Sequence, residues 1–273
     1  MTPRIGVLTG GCEASRSPQR GCFVYLPAFL NLGIAFSKYF AAMPALNDEL
    51  TRVAYRIRHD VYCRELGFEP ERPDGLETDA HDAHAAHCLV RSKADQDYIG
   101  CIRLVFTRPD APQEPLPVEL LCANTIDRRI VDPARLPRHT VAEVSRLAVV
   151  SRYRRRKGDA SQPGGINEGD FGTPERPRFP YLTVGLYLAM MAQARRHGIK
   201  TLLFLTEVRL AKQIARLGVP LQRIGGAVEH RGARVPSVLA VDAAIDGFGA
   251  LLRPFYEVVS REVEAAYRER DLQ

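Results

Sequence analysis

Val141-Ala-Glu-Val-Ser-Arg-Leu-Ala-Val-Val150 is an apolar run of the β type with Glu143, Ser145 and Arg146 set in its middle. Under the two-residue period of a strand, Glu143 and Ser145 share one face and Arg146 takes the other, so a carboxylate and a hydroxyl project together from the centre of a sheet. Desolvation raises the pKa of a buried Glu and a neighbouring cation lowers it; either makes it a candidate for proton transfer or for binding a substrate ammonium. The same residues also read as a buried Glu–Arg pair that only fixes packing.

Upstream, Val53, Ala54, Ile57 and Val61 fall at helical spacing, and the same segment carries Arg58 and Tyr62 one turn apart, followed by Leu66-Gly67-Phe68. Glu77, Asp79 and Asp82 then crowd a short stretch with no apolar pattern, and Ile99-Gly-Cys-Ile-Arg-Leu-Val105 sets Arg103 in a second strand-like run. Two arginines in buried settings and two nearby carboxylates can satisfy each other, whereas each alone is costly to bury.

The order Arg58-x-x-x-Tyr62, Phe68, Asp79-x-x-Asp82, Arg103, Glu143-x-Ser145-Arg146 resembles the acyl-homoserine lactone synthases and the related N-acyl amino acid synthases, acyltransferases built on the acetyltransferase (GNAT-like) fold. Two stretches, Tyr55-Arg-Ile-Arg-His-Asp-Val-Tyr-Cys-Arg-Glu65 and Glu143-Val-Ser-Arg-Leu-Ala-Val149 with an arginine run behind it, look most like the acyltransferases associated with PEP-CTERM/exosortase systems. The resemblance spans residues from about Ile34 to the C-terminus. It implies an α/β fold with a central mixed, twisted sheet flanked by helices. It also implies that Arg58, Asp79, Asp82 and Arg103 form an electrostatic cluster beside the acceptor pocket, with Tyr62 and Phe68 where the lactone synthases usually show Phe and Trp. This chain has no Trp. By the same resemblance Glu143 lies near the attacking amine and Arg146 anchors the strand.

A chain of 273 residues with 45% hydrophobic content can bury a full core. It exceeds a minimal acetyltransferase fold by enough to need an N-terminal extension and an insertion. We expect residues 1–30 to be a poorly ordered extension and 31–273 a single acyltransferase domain with a flexible insertion at about 158–180. Six cysteines without a CxxC pair suggest reduced cytosolic thiols rather than a disulfide framework or zinc ribbon. Cys22 to Met43 is apolar behind Arg16 and Arg20, yet Pro27, Asn31 and Lys38 interrupt it, so it makes a poor transmembrane helix. Ile34-Ala-Phe-Ser-Lys-Tyr-Phe40 reads instead as an amphipathic helix that covers the acyl pocket or touches a membrane surface. The expected location is cytoplasmic, with peripheral membrane contact through this helix.

The spacing predicts a helix over Asp48–Glu65 and strands near Ala86–Arg91 and Tyr98–Thr107. A Pro-rich connection leads into the central strand. Beyond it come a helix over Tyr181–His197, a strand over Thr201–Thr206 and a helix over Val208–Leu217. Strand, helix, strand implies a parallel crossover. Arg223–Val228 and Ser237–Val241 form an expected hairpin around His230-Arg-Gly-Ala-Arg234, and a charged helix follows Pro254.

Arg152-Tyr-Arg-Arg-Arg-Lys157 occupies the position at which acetyltransferases place their pyrophosphate loop, so Arg152, Arg154, Arg155 and Arg156 are expected to bind the donor. The nearby glycines are too displaced for a tight coenzyme A cradle, which favours an acidic acyl carrier protein; a solvated basic loop is the other reading. The net charge of +6 suits acidic partners, while scattered basic residues and the lack of a recognition module argue against nucleic acid. His81, His84 and His87 with Asp79 and Asp82 could hold zinc or iron on a helical turn. The resemblance assigns both aspartates to the arginine cluster and His87 opens a strand, so no metal site is expected. Ser145 lacks a Gly-x-Ser-x-Gly elbow, which argues against a hydrolase triad.

The expected chemistry is direct transfer of a fatty acyl group from an acyl carrier protein or acyl-coenzyme A thioester to an amine, with no tightly bound cofactor. Glu143 is the candidate base, with Ser145 and Arg146 beside it. By fold analogy, backbone N–H groups near Leu147 and Ala148 stabilise the oxyanion, and the Tyr181 helix and Thr201 strand line the acyl tunnel. A lactone synthase using S-adenosylmethionine and a non-catalytic carrier-binding protein are the alternatives.

Overall fold

Strand Val141–Val149 (β4) lies at the centre of one eight-stranded sheet in the computed structural model, which describes residues 32–154, 172, 173, 176, 177 and 180–272. The other strands are Phe40–Pro44 (β1), Ala85–Ser92 (β2), Tyr98–Phe106 (β3), Thr201–Glu207 (β5), Gln222–Arg223 (β6), Val228–Glu229 (β7) and Ala233–Ala240 (β8). Their order is β1-β2-β3-β4-β5-β8-β6, with β7 also pairing β8. All neighbours are antiparallel except β4 and β5, the pair joined by the long crossover. Gly172–Thr173 and Arg176–Pro177 form a separate two-stranded pair.

The helices are Leu32–Tyr39 (α1), Asp48–Arg58 (α2), Pro117–Leu121 (α3), Tyr181–Arg196 (α4), Val208–Arg216 (α5), Val241–Asp246 (α6) and Arg253–Asp271 (α7). On one face of the sheet α1, α4 and α7 bury a core containing Phe36, Leu104, Val144, Leu186 and Phe255. Gly185 lets α1 approach α4, since a Cβ built there would lie 2.7 Å from the ring of Phe36. The opposite face carries α2, with Ala54, Ile57, Val61 and Tyr62 packed on Leu89, Cys101 and Ala148.

The expected elements are present with small shifts, and the parallel crossover β4-α4-β5 forms as read. The helix expected over Asp48–Glu65 divides: the Asn47 side chain caps α2 by accepting from the Leu50 N–H at 2.8 Å, and from His59 to Glu65 the chain continues as a π-helix. The hairpin near the C-terminus is shorter than expected. Gly225 sits so close to Thr125 that a Cβ would meet its carbonyl oxygen at 2.5 Å, and it bridges to Ile126, so the strand expected through Val228 breaks there. The segment expected as an amphipathic helix forms α1, with Leu32 and Phe36 buried and Ile34 exposed; the Phe36 ring lies 5.0 Å from that of Phe255, so the helix docks on α7. Among the described residues no helix is long and apolar enough to cross a membrane.

Two features of β4 position the site. Its pairing with β5 runs from Val141↔Thr201 only to Val144↔Phe204, although both strands continue, so a gap opens between them. Its register with β3 steps from Arg103↔Ser145 to Cys101↔Ala148, which leaves Arg146 and Leu147 opposite Ile102 as a bulge. Arg146 has φ 52°, the left-handed region that costs an L-residue roughly 1–2 kcal/mol.

Candidate active site

The bulge overturns one expectation from strand period. Arg146 does not point away from Ser145; its left-handed backbone turns the guanidinium onto the same side, where it meets the acidic loop. Its Nη2 donates to Asp79 Oδ2 at 2.9 Å and its Nε to Glu77 Oε1 at 3.2 Å. Arg103, from β3, donates to Asp79 Oδ1 at 2.7 Å and to Asp82 Oδ1 at 2.8 Å, while its Nε reaches Ser145 Oγ at 3.1 Å. Arg58, at the end of α2, donates to Asp82 through two bonds of 2.7 and 3.0 Å and to Glu77 through its Nε.

The loop is shaped to receive these cations. Asp79 caps the short 3-10 turn Ala80–His84 by accepting from the His81 N–H at 2.9 Å, and Asp82 accepts from the Asp79 N–H at 2.8 Å. Both aspartates thereby face the sheet. Burial pushes Glu77, Asp79 and Asp82 up, but the hydrogen bonds and charges of the surrounding arginines outweigh it and hold all three below the ordinary carboxylate range. The structure thus brings together Arg58, Asp79, Asp82, Arg103, Ser145 and Arg146. Glu77, 2% exposed, joins them; it lies in the same acidic stretch but, unlike Asp79 and Asp82, is not assigned to the cluster by the resemblance. Counting charges finds it: with Arg146 on this side, a third carboxylate is needed.

His87 lies beside the cluster, buried, its Nε2 3.7 Å from Asp82 Oδ1. Burial, then the charge of Arg58, drives its pKa down to about 3, so the ring is neutral. Among the described residues no group of three or more His, Cys, Asp or Glu side chains could hold a metal ion.

Glu143 stands apart from these ion pairs. It projects from β4 into a small apolar cluster of Val105, Leu116, Val118 and Cys122. The Val118 N–H donates to its Oε2 at 2.7 Å. Burial pushes its pKa up to about 7, only partly opposed by that N–H and the more distant Arg103 and Arg146. A carboxylate poised there can take or give a proton at neutral pH.

Tyr62 and Phe68 line the outer wall, their ring centroids 6.4 Å apart. The Arg146 guanidinium lies 5.8 Å from the Tyr62 ring, and the Arg231 guanidinium, from the β7–β8 turn, 5.6 Å from that of Phe68. Arg231 also pairs with Glu69, which brings the turn against this wall. Between α4, β5 and α5 a small apolar pocket of about 30 Å³ is bounded by Tyr187, Met191, Leu202, Phe204, Ile214 and Leu217.

The arginine run is partly placed. Arg152 pairs with Asp97 at 2.6 Å, and Arg154 pairs with Glu65, which also accepts from the Ser151 N–H at 3.1 Å. Arg152 stays half exposed in a surface pair, as a solvated loop presents, whereas Arg154 is largely buried beside Glu65. Arg155 and Arg156 lie outside the described residues, as do the expected extension and most of the expected insertion.

A family model described as an acetyltransferase (GNAT) domain matches residues 57–161, from α2 through the arginine run. The acyl-homoserine-lactone synthase of Aeromonas hydrophila is 26% identical over 225 residues, covering 81% of this chain and 90% of that protein. The corresponding synthase of Aeromonas salmonicida is 27% identical over 185 residues, covering 68% and 74%. Among solved structures, the CoA-dependent acyl-homoserine lactone synthase BjaI, determined with SAM and isopentyl-CoA, superposes with a TM-score of 0.52 at 19% identity, covering 82% of this chain and 98% of that one. The chain therefore has the GNAT fold, in the form shared by the acyl-homoserine lactone synthases, and is similar to those synthases over most of its sequence.

Proposed function

We propose that the protein is an N-acyltransferase that moves a fatty acyl group from an acyl carrier protein or acyl-CoA thioester to an amine, an amino acid or related compound. The observation that carries this reading is the unpaired end of the parallel pair: β4 and β5 separate beyond Val144 and Phe204, with the arginine–carboxylate cluster beside the gap. An acceptor fits against Tyr62, Phe68 and the cluster; an acyl chain would enter by parting the apolar side chains of α4, β5 and α5, which leave about 30 Å³ between them. The sequence similarity to acyl-homoserine-lactone synthases supports the same reaction class.

In this mechanism Glu143, with its pKa near 7, takes the proton of the acceptor ammonium directly or through one water. The amine nitrogen attacks the thioester carbon and the N–C bond forms. The backbone N–H of Leu147 in the gap stabilises the oxyanion; the C–S bond then breaks, and the proton that the nitrogen sheds in becoming an amide passes to the thiolate, which leaves as a thiol. Arg58, Arg103 and Arg146 hold the acceptor wall in place through Glu77, Asp79 and Asp82. The carrier protein is the favoured donor, since the glycines near the Arg152–Arg156 run are too displaced in the sequence to cradle coenzyme A tightly. The resemblance of Tyr55–Glu65 and Glu143–Val149 to the acyltransferases of PEP-CTERM/exosortase systems supports a role in such a system.

Formation of a lactone from S-adenosylmethionine is a second reading, favoured by the curated relatives. Mass spectrometry of lipids from cells expressing the chain separates the two. An N-acyl amino acid or amine that appears only with the wild-type chain is the expected result, a homoserine lactone assigns the second reading, and the absence of any new acyl product overturns both.

A further inference from the structure

The hydroxyl of Tyr62 is buried in the π-helical turn His59–Glu65 and donates to the backbone carbonyl of Leu147 at 2.8 Å. The orientation of Leu147 follows from the ladder. The Val150 N–H donates to Ile99 O at 3.0 Å and Ala148 lies opposite Cys101, so the two-residue alternation of an antiparallel pair turns the backbone groups of Ala148 toward β3 and those of Leu147 toward the other edge. That is the edge which β5 leaves after Phe204. The phenol therefore bonds the carbonyl that a continued β4–β5 ladder would have used, and does so beside the N–H of the same residue. The π-helical turn also holds the chain just past β4, because Glu65 accepts from the Ser151 N–H at 3.1 Å. A π-helical turn brings Tyr62 and Glu65 into these positions at the end of α2, a place where such distortions commonly serve a site.

We propose that Tyr62 is a positioning residue for acyl transfer: by bonding the Leu147 carbonyl it keeps the gap from closing into sheet and sets the Leu147 N–H against the thioester carbonyl. This rests on the acyl-transfer reading and adds to it a group that the lactone synthases, with Phe usual at this place, do not offer. The phenol remains a donor at neutral pH, since burial pushes its pKa up to about 12.

Tyr62→Phe keeps the ring against Phe68 and removes only the bond. The variant is expected to lose about 10-fold or more in kcat, with a raised KM for the donor and the KM of the acceptor within about twofold. It is also expected to bind a ketomethylene donor analogue, which keeps the carbonyl, more weakly than wild type, while a thioether analogue that lacks the carbonyl binds equally to both proteins. An unchanged kcat overturns the assignment, as does an equal loss of both analogues, which would mark general damage to the pocket. A wild-type protein that prefers neither analogue overturns it as well. If the wild type forms no acyl product yet prefers the ketomethylene analogue, and Tyr62→Phe abolishes that preference, the positioning role stands and the acyl-transfer reading falls.

Discussion

Arg58 and Asp82 meet fork to fork, Nη1 to Oδ1 at 2.7 Å and Nη2 to Oδ2 at 3.0 Å, with the arginine wholly buried. Oδ1 also receives Arg103 at 2.8 Å, so one carboxylate ties the end of α2 to the middle of β3. Removing it leaves two desolvated guanidiniums short of a partner. Asp82→Ala is expected to lose roughly 3–5 kcal/mol, measured by urea denaturation, with activity falling in parallel. A melt matching wild type, with acyl transfer intact, would show that the cluster does not support the fold.

The two kinds of buried carboxyl predict opposite pH dependences. Glu77, Asp79 and Asp82 have folded pKa values lowered from those of the unfolded chain, so their stabilisation is present above about pH 4 and is lost as the pH falls. For Glu143 the folded value of about 7 lies above the ordinary glutamate value of 4.5, so the native state binds more protons across that interval and stability falls as the pH rises through it. Glu143→Gln is expected to abolish the second slope while leaving the acid-side loss in place. It is also expected to slow acyl transfer by about 10²-fold or more and to remove the rise of rate with pH near 7. Unchanged turnover in the purified variant would take Glu143 out of catalysis.

The bulge gives a sharper test on one position. Arg146→Gly and Arg146→Ala both remove the ion pairs to Glu77 and Asp79, but only Gly adopts φ 52° without a steric penalty. The Gly variant is expected to be the more stable of the two by about 1 kcal/mol in urea denaturation. Equal stabilities would mean that the backbone relaxes out of the left-handed region once the guanidinium is gone.

How far the sequence could carry the reading is visible at these same residues. The apolar run around Glu143 marks the central strand, and the alternation that follows marks the parallel crossover, because both rest on periodicity over many residues. Arg146 defeats the period because a single left-handed residue changes which side a side chain takes. The division of the first long helix at His59 was equally hidden, since α and π turns share composition. Glu77, like Asp79 and Asp82, carries no local pattern; its place is set by charge balance with an arginine whose direction strand period does not give. The strand expected through Val228 fails at Gly225, where contact with Thr125, a hundred residues earlier, decides the local structure.

Three guanidiniums, of Arg58, Arg103 and Arg146, meet three carboxylates, of Glu77, Asp79 and Asp82, within one interlocked set. Their monopoles cancel, so this wall exerts little pull on an ion still in solution and discriminates only at contact distance. The chain's excess of +6 must therefore reside elsewhere on its surface. Ionic strength should then govern how fast a charged donor arrives, while the set of acceptors accepted stays the same from dilute buffer to high salt.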